Sequence, residues 1–106
     1  MIEIRQERML NTEKIMELMQ ENRKALQKYG VKRIGLFGSF LNDKQRSESD
    51  IDILVEFKKG EKTFDNYMDL KFFLEDLFKR DVDLVVKEAL KVHIKSNILR
   101  SVRYAT

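Results

Sequence analysis

A chain of 106 residues and 12.7 kDa has room for one domain and not for two. Its hydrophobic content of 42% supports a packed core, while its 37% of charged residues, against roughly 25% in a typical domain, must lie on a solvated surface or around a charged ligand. Cysteine is absent and histidine occurs once, which excludes disulfides, thiolate metal sites and cysteine nucleophiles and makes a zinc centre improbable.

No apolar run approaches the ~20 residues of a membrane span, and the start, Met1-Ile2-Glu3-Ile4-Arg5, has no signal-peptide pattern. A cytoplasmic protein with no membrane partner is expected. Net charge is +3, and residues 87–106 account for it: Lys87, Lys91, Lys95, Arg100 and Arg103 against Glu88 give +4, leaving −1 elsewhere. One solvated basic helix face explains this excess. Nucleic acid is not expected as a direct target, because Tyr104 alone supplies an aromatic among those cations.

In chain order, Asn11 can cap a helix whose apolar stripe is Ile15, Leu18, Met19, Ala25, Leu26 and Tyr29, with Gly30 as its stop. Val31 to Phe37 reads as a strand closing in Gly38-Ser39, with a short helix over 39–42 and a polar loop over 42–49. Ile51 to Phe57 is a second strand, followed by a turn at Lys58-Lys59-Gly60. Thr63 caps a helix reaching about Lys79, with Tyr67, Leu70, Leu74, Leu77 and Phe78 as its stripe. A third strand runs from Asp81 to Val86, and Leu90, Ile94, Ile98 and Val102 mark a last helix. The expectation is a small α/β domain over 1–106, with a three-stranded mixed sheet backed by helices.

The chemistry concentrates on two strands. In Ser49-Asp50-Ile51-Asp52-Ile53-Leu54-Val55, alternation puts Asp50 and Asp52 on one face and Ile51, Ile53 and Val55 on the other. Asp81-Val82-Asp83-Leu84-Val85-Val86 repeats the pattern. Aspartate is a poor strand former, and two carboxylates ~6 Å apart repel by about 3 kcal/mol at an effective dielectric of 20. A divalent cation reverses that sign, and oxygen-only ligands point to Mg²⁺ or Mn²⁺ and a phosphate-bearing substrate. A lone Asp-x-Asp is more often an edge charge, and Gly38-Ser39 alone is more often a serine-capped turn. Their combination carries the argument, since Gly38 lets backbone approach a phosphate and Ser39 adds a hydroxyl. A serine-hydrolase reading of Ser39 with His93 fails for want of the second glycine of a nucleophile elbow, and no P-loop is present.

Leu36-Phe37-Gly38-Ser39-Phe40, a polar loop and Ser49-Asp50-Ile51-Asp52-Ile53-Leu54-Val55 together resemble the signature of the polymerase-β-type nucleotidyltransferase superfamily. The chain is most similar to the minimal nucleotidyltransferases, small antitoxins paired with HEPN-domain toxins. The resemblance implies transfer of AMP from ATP to a protein hydroxyl, a tyrosine of the partner toxin. It assigns the triphosphate to Gly38 and Ser39, and two Mg²⁺ ions to Asp50, Asp52 and Asp83, with Asp83 also orienting or deprotonating the acceptor. Where members often carry Arg-Gly after the Gly-Ser, this chain has Asn42-Asp43.

The alternative is an antitoxin that neutralises its toxin by contact alone. Phe64, Met68 and Phe72 form a second apolar row on the long helix, and a helix apolar over so much of its surface is either deeply buried or an interface. Acceptor, base specificity, number of nucleotides transferred and oligomeric state are not legible in the residues.

Overall fold

The structure, a computed structural model, describes residues 10–38 and 50–106. The expectations for Ser39, the short helix over 39–42, the polar loop and Asn42-Asp43 lie outside the described residues. Asn11 caps α1 (Thr12–Glu21) by accepting from the Lys14 amide at 2.8 Å. The sequence suggests one helix from there to Gly30, but Asn22 divides it. The Asn22 side chain donates to the Leu18 carbonyl at 2.8 Å and its backbone leaves helical geometry at ψ 24°, so α2 (Arg23–Lys28) starts afresh. The break retains the buried stripe of Ile15, Met19 and Leu26 and adds Met16.

Strands β1 (Val31–Phe37) and β2 (Ile51–Phe57) have the bounds expected from their alternation. Thr63 accepts from the Asn66 amide at 3.1 Å and caps α3 (Phe64–Phe78), which Lys79 closes in the left-handed conformation at φ 57°. Strand β3 (Val82–Val86) passes through a 3₁₀ turn (Lys87–Ala89) into α4 (Val92–Ser101). A two-residue strand, β4 (Arg103–Tyr104), follows.

Among the described residues the sheet therefore has four strands, ordered β3-β2-β1-β4, and not the three expected. Two residues are too few to show alternation. What admits β4 is Gly35, where a Cβ would stand 2.8 Å from both the Arg103 carbonyl and the Val102 Cγ2. Strand β1 pairs antiparallel with β2 and β4, whereas β2 and β3 run parallel, with α3 as the crossover between them.

One sheet face holds Ile34, Leu36, Ile51, Ile53, Val55, Phe57, Val82 and Leu84 against Ile15, Met16, Met19, Leu26, Leu70, Leu74 and Phe78 of α1, α2 and α3. Each such side chain contributes roughly 1.5–3 kcal/mol on leaving water, so this face carries most of the stability. Leu54, on the opposite face beside Gly35, is 1% exposed. Helix α4 is less secure than its stripe suggests: Leu90, Ile98 and Val102 are half-buried, and Ile94 is exposed.

Candidate active site

Alternation along β2 and β3 places Asp52 and Asp83 off the core face, and the pairing of the strands then decides whether they meet. They do. In the parallel ladder Ile51 is level with Val82, Asp52 with Asp83 and Ile53 with Leu84. Neighbouring strands lie about 4.8 Å apart, so two carboxylates rise side by side from one end of the sheet. Asp52 is half-buried and Asp83 exposed. Asp50 is also exposed and stands one residue before β2, at the same end.

The end of β1 completes the arrangement. Phe37 pairs with Asp52, and Gly38 follows at φ +82°. A Cβ on Gly38 would overlap the Asp52 Oδ2 and lie 2.8 Å from its Cγ. The backbone turns left-handed directly over a carboxylate, which only glycine allows at that distance. Glycine and aspartate, far apart in sequence, are thus in contact.

Asp81 does something different. Its carbonyl accepts from the Ile51 amide at 3.0 Å, starting the parallel ladder, while its side chain is exposed. Its contribution is through the backbone. Among the described residues, no three histidine, aspartate or glutamate side chains are grouped so as to hold a metal ion. The structure thus brings together Asp52, Asp83 and Gly38 of the sequence-predicted set and leaves Asp50 at the mouth of its strand. A surface hollow of about 540 Å³, lined by Asn11, Lys14, Glu17, Gln20 and Arg103 among others, contains none of them.

A second set of polar contacts was not expected from the sequence. Tyr67 donates to the Leu84 carbonyl at 2.7 Å, and Lys71 donates to the Val82 carbonyl at 2.6 Å and to Glu75 at 2.9 Å. Glu75 in turn accepts from the Val82 amide at 3.1 Å. That amide, with Lys71 beside it, holds the Glu75 carboxyl below the usual carboxylate range. Glu75 is likewise the main reason the Lys71 ammonium titrates above its ordinary value. An i,i+4 pair supports its own helix by about 0.3–0.5 kcal/mol, whereas a hydrogen bond to a charged group is worth about 1.5–3 kcal/mol. The pair therefore serves chiefly as a tether from α3 to β3. The four-residue spacing of Tyr67, Lys71 and Glu75 was the available signal, but Tyr67 reads as part of the core stripe.

Further along this face, Glu56 bridges Lys32 at 3.6 Å and Lys87 at 3.5 Å, and Arg33 stacks over the Tyr104 ring at 3.7 Å. An irregularity between Val31 and Arg33 permits consecutive exposed cations on β1.

The mixed sheet thus carries an aspartate pair level across its parallel strands and a left-handed glycine over one of them. Residues 15–105 match the nucleotidyltransferase domain family, and the chain belongs to that family. It is 37% identical over 97 residues to the protein adenylyltransferase MntA of Thermococcus cleftensis, covering 91% of this chain and 97% of that one. Among solved structures, a protein described as a minimal nucleotidyltransferase superposes with TM-score 0.71 at 28% identity, covering 90% of this chain and 96% of the other. A toxin–antitoxin structure with AMP-PNP superposes with TM-score 0.65 at 26% identity, covering 92% and 73%. Among the described residues, no helix is long and apolar enough to cross a membrane.

Proposed function

We propose that this protein is a protein adenylyltransferase and an antitoxin, moving AMP from ATP to a tyrosine hydroxyl of a HEPN-type toxin. The observation that carries the reading is Asp52 level with Asp83 and touching Gly38. Kinship with an MntA adenylyltransferase supports the reaction class, and similarity to a toxin–antitoxin structure containing AMP-PNP supports the nucleotide and the partner.

Gly38 and Ser39 receive the triphosphate, because the missing side chain lets phosphate oxygens approach the backbone. Asp50, Asp52 and Asp83 would supply oxygen-only donors, the chemistry that suits Mg²⁺ or Mn²⁺, although their three carboxylates are not grouped as a ready-made metal site. Two such ions, when bound, supply charge neutralisation for the phosphates. Asp83, the more exposed of the pair, faces the acceptor. It orients the incoming hydroxyl and takes its proton as the oxygen attacks the α-phosphorus; a new ester bond forms, the α–β anhydride breaks and pyrophosphate leaves.

The toxin docks on the outer face of α3. Phe64 is 76% and Phe72 58% exposed, with Met68 half-buried between them and the exposed acids Asp65 and Asp69 alongside. An apolar row edged by carboxylates fits a toxin surface of apolar side chains framed by lysine or arginine.

The contact-only reading retains one specific support: Asn42-Asp43 stands where members often have a cation for the phosphates. Mixing the protein with its toxin and labelled ATP decides between them. Label on the toxin that disappears with Asp52→Asn, while the complex persists, is the enzymatic result. Inhibition of the toxin with no label transferred by the wild type would establish the contact-only antitoxin.

A further inference from the structure

Among the described residues, strand β3 is an edge of the sheet, and an edge strand presents unpaired amides and carbonyls that need cover. Its cover is unusually specific. Tyr67, Lys71 and Glu75 stand one helical turn apart on α3, and their hydrogen bonds reach the Leu84 carbonyl, the Val82 carbonyl and the Val82 amide. Those are the two residues that flank Asp83. Main-chain groups of alternate residues point to the same edge of a strand, so Val82 and Leu84 are held from the α3 side while the ladder to β2 passes between them. The remaining polar contact, Lys71 to Glu75 at 2.9 Å, ties two members of the row together, and both side chains are about three-quarters shielded from solvent.

We propose that Tyr67, Lys71 and Glu75 are positioning residues that set the height of β3 against β2 and so keep the Asp83 carboxylate level with that of Asp52. The proposal rests on the reading of Asp52 and Asp83 as the reactive pair. Simple edge cover and a positioning role make different demands. Cover requires only that the edge groups be satisfied, and its loss shows as lower stability. Positioning requires that Asp83 respond to its ligand differently when the row is cut, in protein that is still fully folded.

The experiment is carried out on the full chain at a temperature well below unfolding. The carboxyl ¹³C resonances of Asp52 and Asp83 are followed as Mg²⁺–ATP is added, and transfer to the toxin is measured in parallel. The variants are Glu75→Leu, Lys71→Met and Tyr67→Phe, with Glu75→Gln as the conservative rescue that keeps an acceptor for the Val82 amide. In wild type both carboxyls shift. In Glu75→Leu, Lys71→Met and Tyr67→Phe the Asp52 shift persists and the Asp83 shift shrinks, kcat falls by about ten- to a hundredfold, and KM for ATP is unchanged. Glu75→Gln restores the Asp83 shift and most of kcat. If Asp83 shifts as in wild type in Glu75→Leu, Lys71→Met and Tyr67→Phe, and only the unfolding temperature falls, the row is edge cover and the positioning role is refuted. If neither carboxyl shifts in the wild type itself, the reactive pair has been misassigned and the positioning role falls with it.

Discussion

Asp52 and Asp83 occupy the same rung of the parallel β2–β3 ladder, each carried there by a strand whose alternate residues are buried in one core. A slip of one residue in that pairing would turn Asp83 into the core and Val82 and Leu84 out of it, which the burial of those two forbids. The hydrophobic face thereby enforces the geometry of the acidic one.

Asp81 and Asp83 are separable by substitution. Asp83→Asn and Asp52→Asn should each lower AMP transfer by at least about a hundredfold, as expected for loss of a group acting on the reacting atoms. Asp81→Ala should stay within about twofold of wild type, because Asp81 works through its carbonyl bond to Ile51, which alanine keeps. Label transfer to the toxin at saturating ATP measures all three, and a loss in Asp81→Ala equal to that in Asp83→Asn would reassign the third acid.

Gly38→Ala should fail for two reasons at once. The residue sits at φ +82°, and the new Cβ would collide with the Asp52 carboxylate. A cost of about 2 kcal/mol is expected in urea unfolding, together with loss of ATP binding by calorimetry. Retention of both would mean that the glycine is a turn residue with no bearing on the site.

Stability at acid pH should depend on Glu75. Its folded-state pKa lies below the ordinary value of 4.5, so its contribution is complete above that value and is lost as pH falls through the lower folded value. Lys71, raised above 10.5, gives the mirror case: its contribution is complete below 10.5 and is lost as pH rises through the higher folded value. Urea midpoints across the acid range should fall less steeply in Glu75→Gln than in wild type. Parallel curves would remove Glu75 from the account of acid unfolding.

Binding and catalysis should part company. Phe72→Asp should weaken the toxin complex by about thirtyfold, the equivalent of about 2 kcal/mol for a central aromatic contact, while leaving ATP affinity and unfolding unchanged. The side chain is 58% exposed, so the isolated protein gives up little packing. Titration of each variant with toxin and, separately, with ATP tests the separation; an unaltered toxin affinity would move the interface off α3.

Local chemistry alone determined much of this protein. Asn11 and Thr63 start helices because their side chains can satisfy amides three residues on, and the alternation in Ile51 to Phe57 assigns each side chain to a face whatever the neighbours. Gly38, Asp50, Asp52 and Asp83 stood out because glycine and aspartate are costly where they occur. Three things needed the folded chain. The level pairing of Asp52 with Asp83 joins segments separated by a whole helix: their apolar neighbours fix the face each aspartate takes, but only the strand pairing fixes the rung. Strand β4 is too short to have a period and exists because Gly35 leaves it space. The bonds of Tyr67, Lys71 and Glu75 to Val82 and Leu84 arise only once α3 lies along the edge of β3, where surface-like residues of a helix become partners for a strand's unpaired backbone. Periodicity belongs to a segment, whereas register and edge cover belong to pairs of segments, and it is in those pairs that Asp52, Asp83 and Gly38 meet.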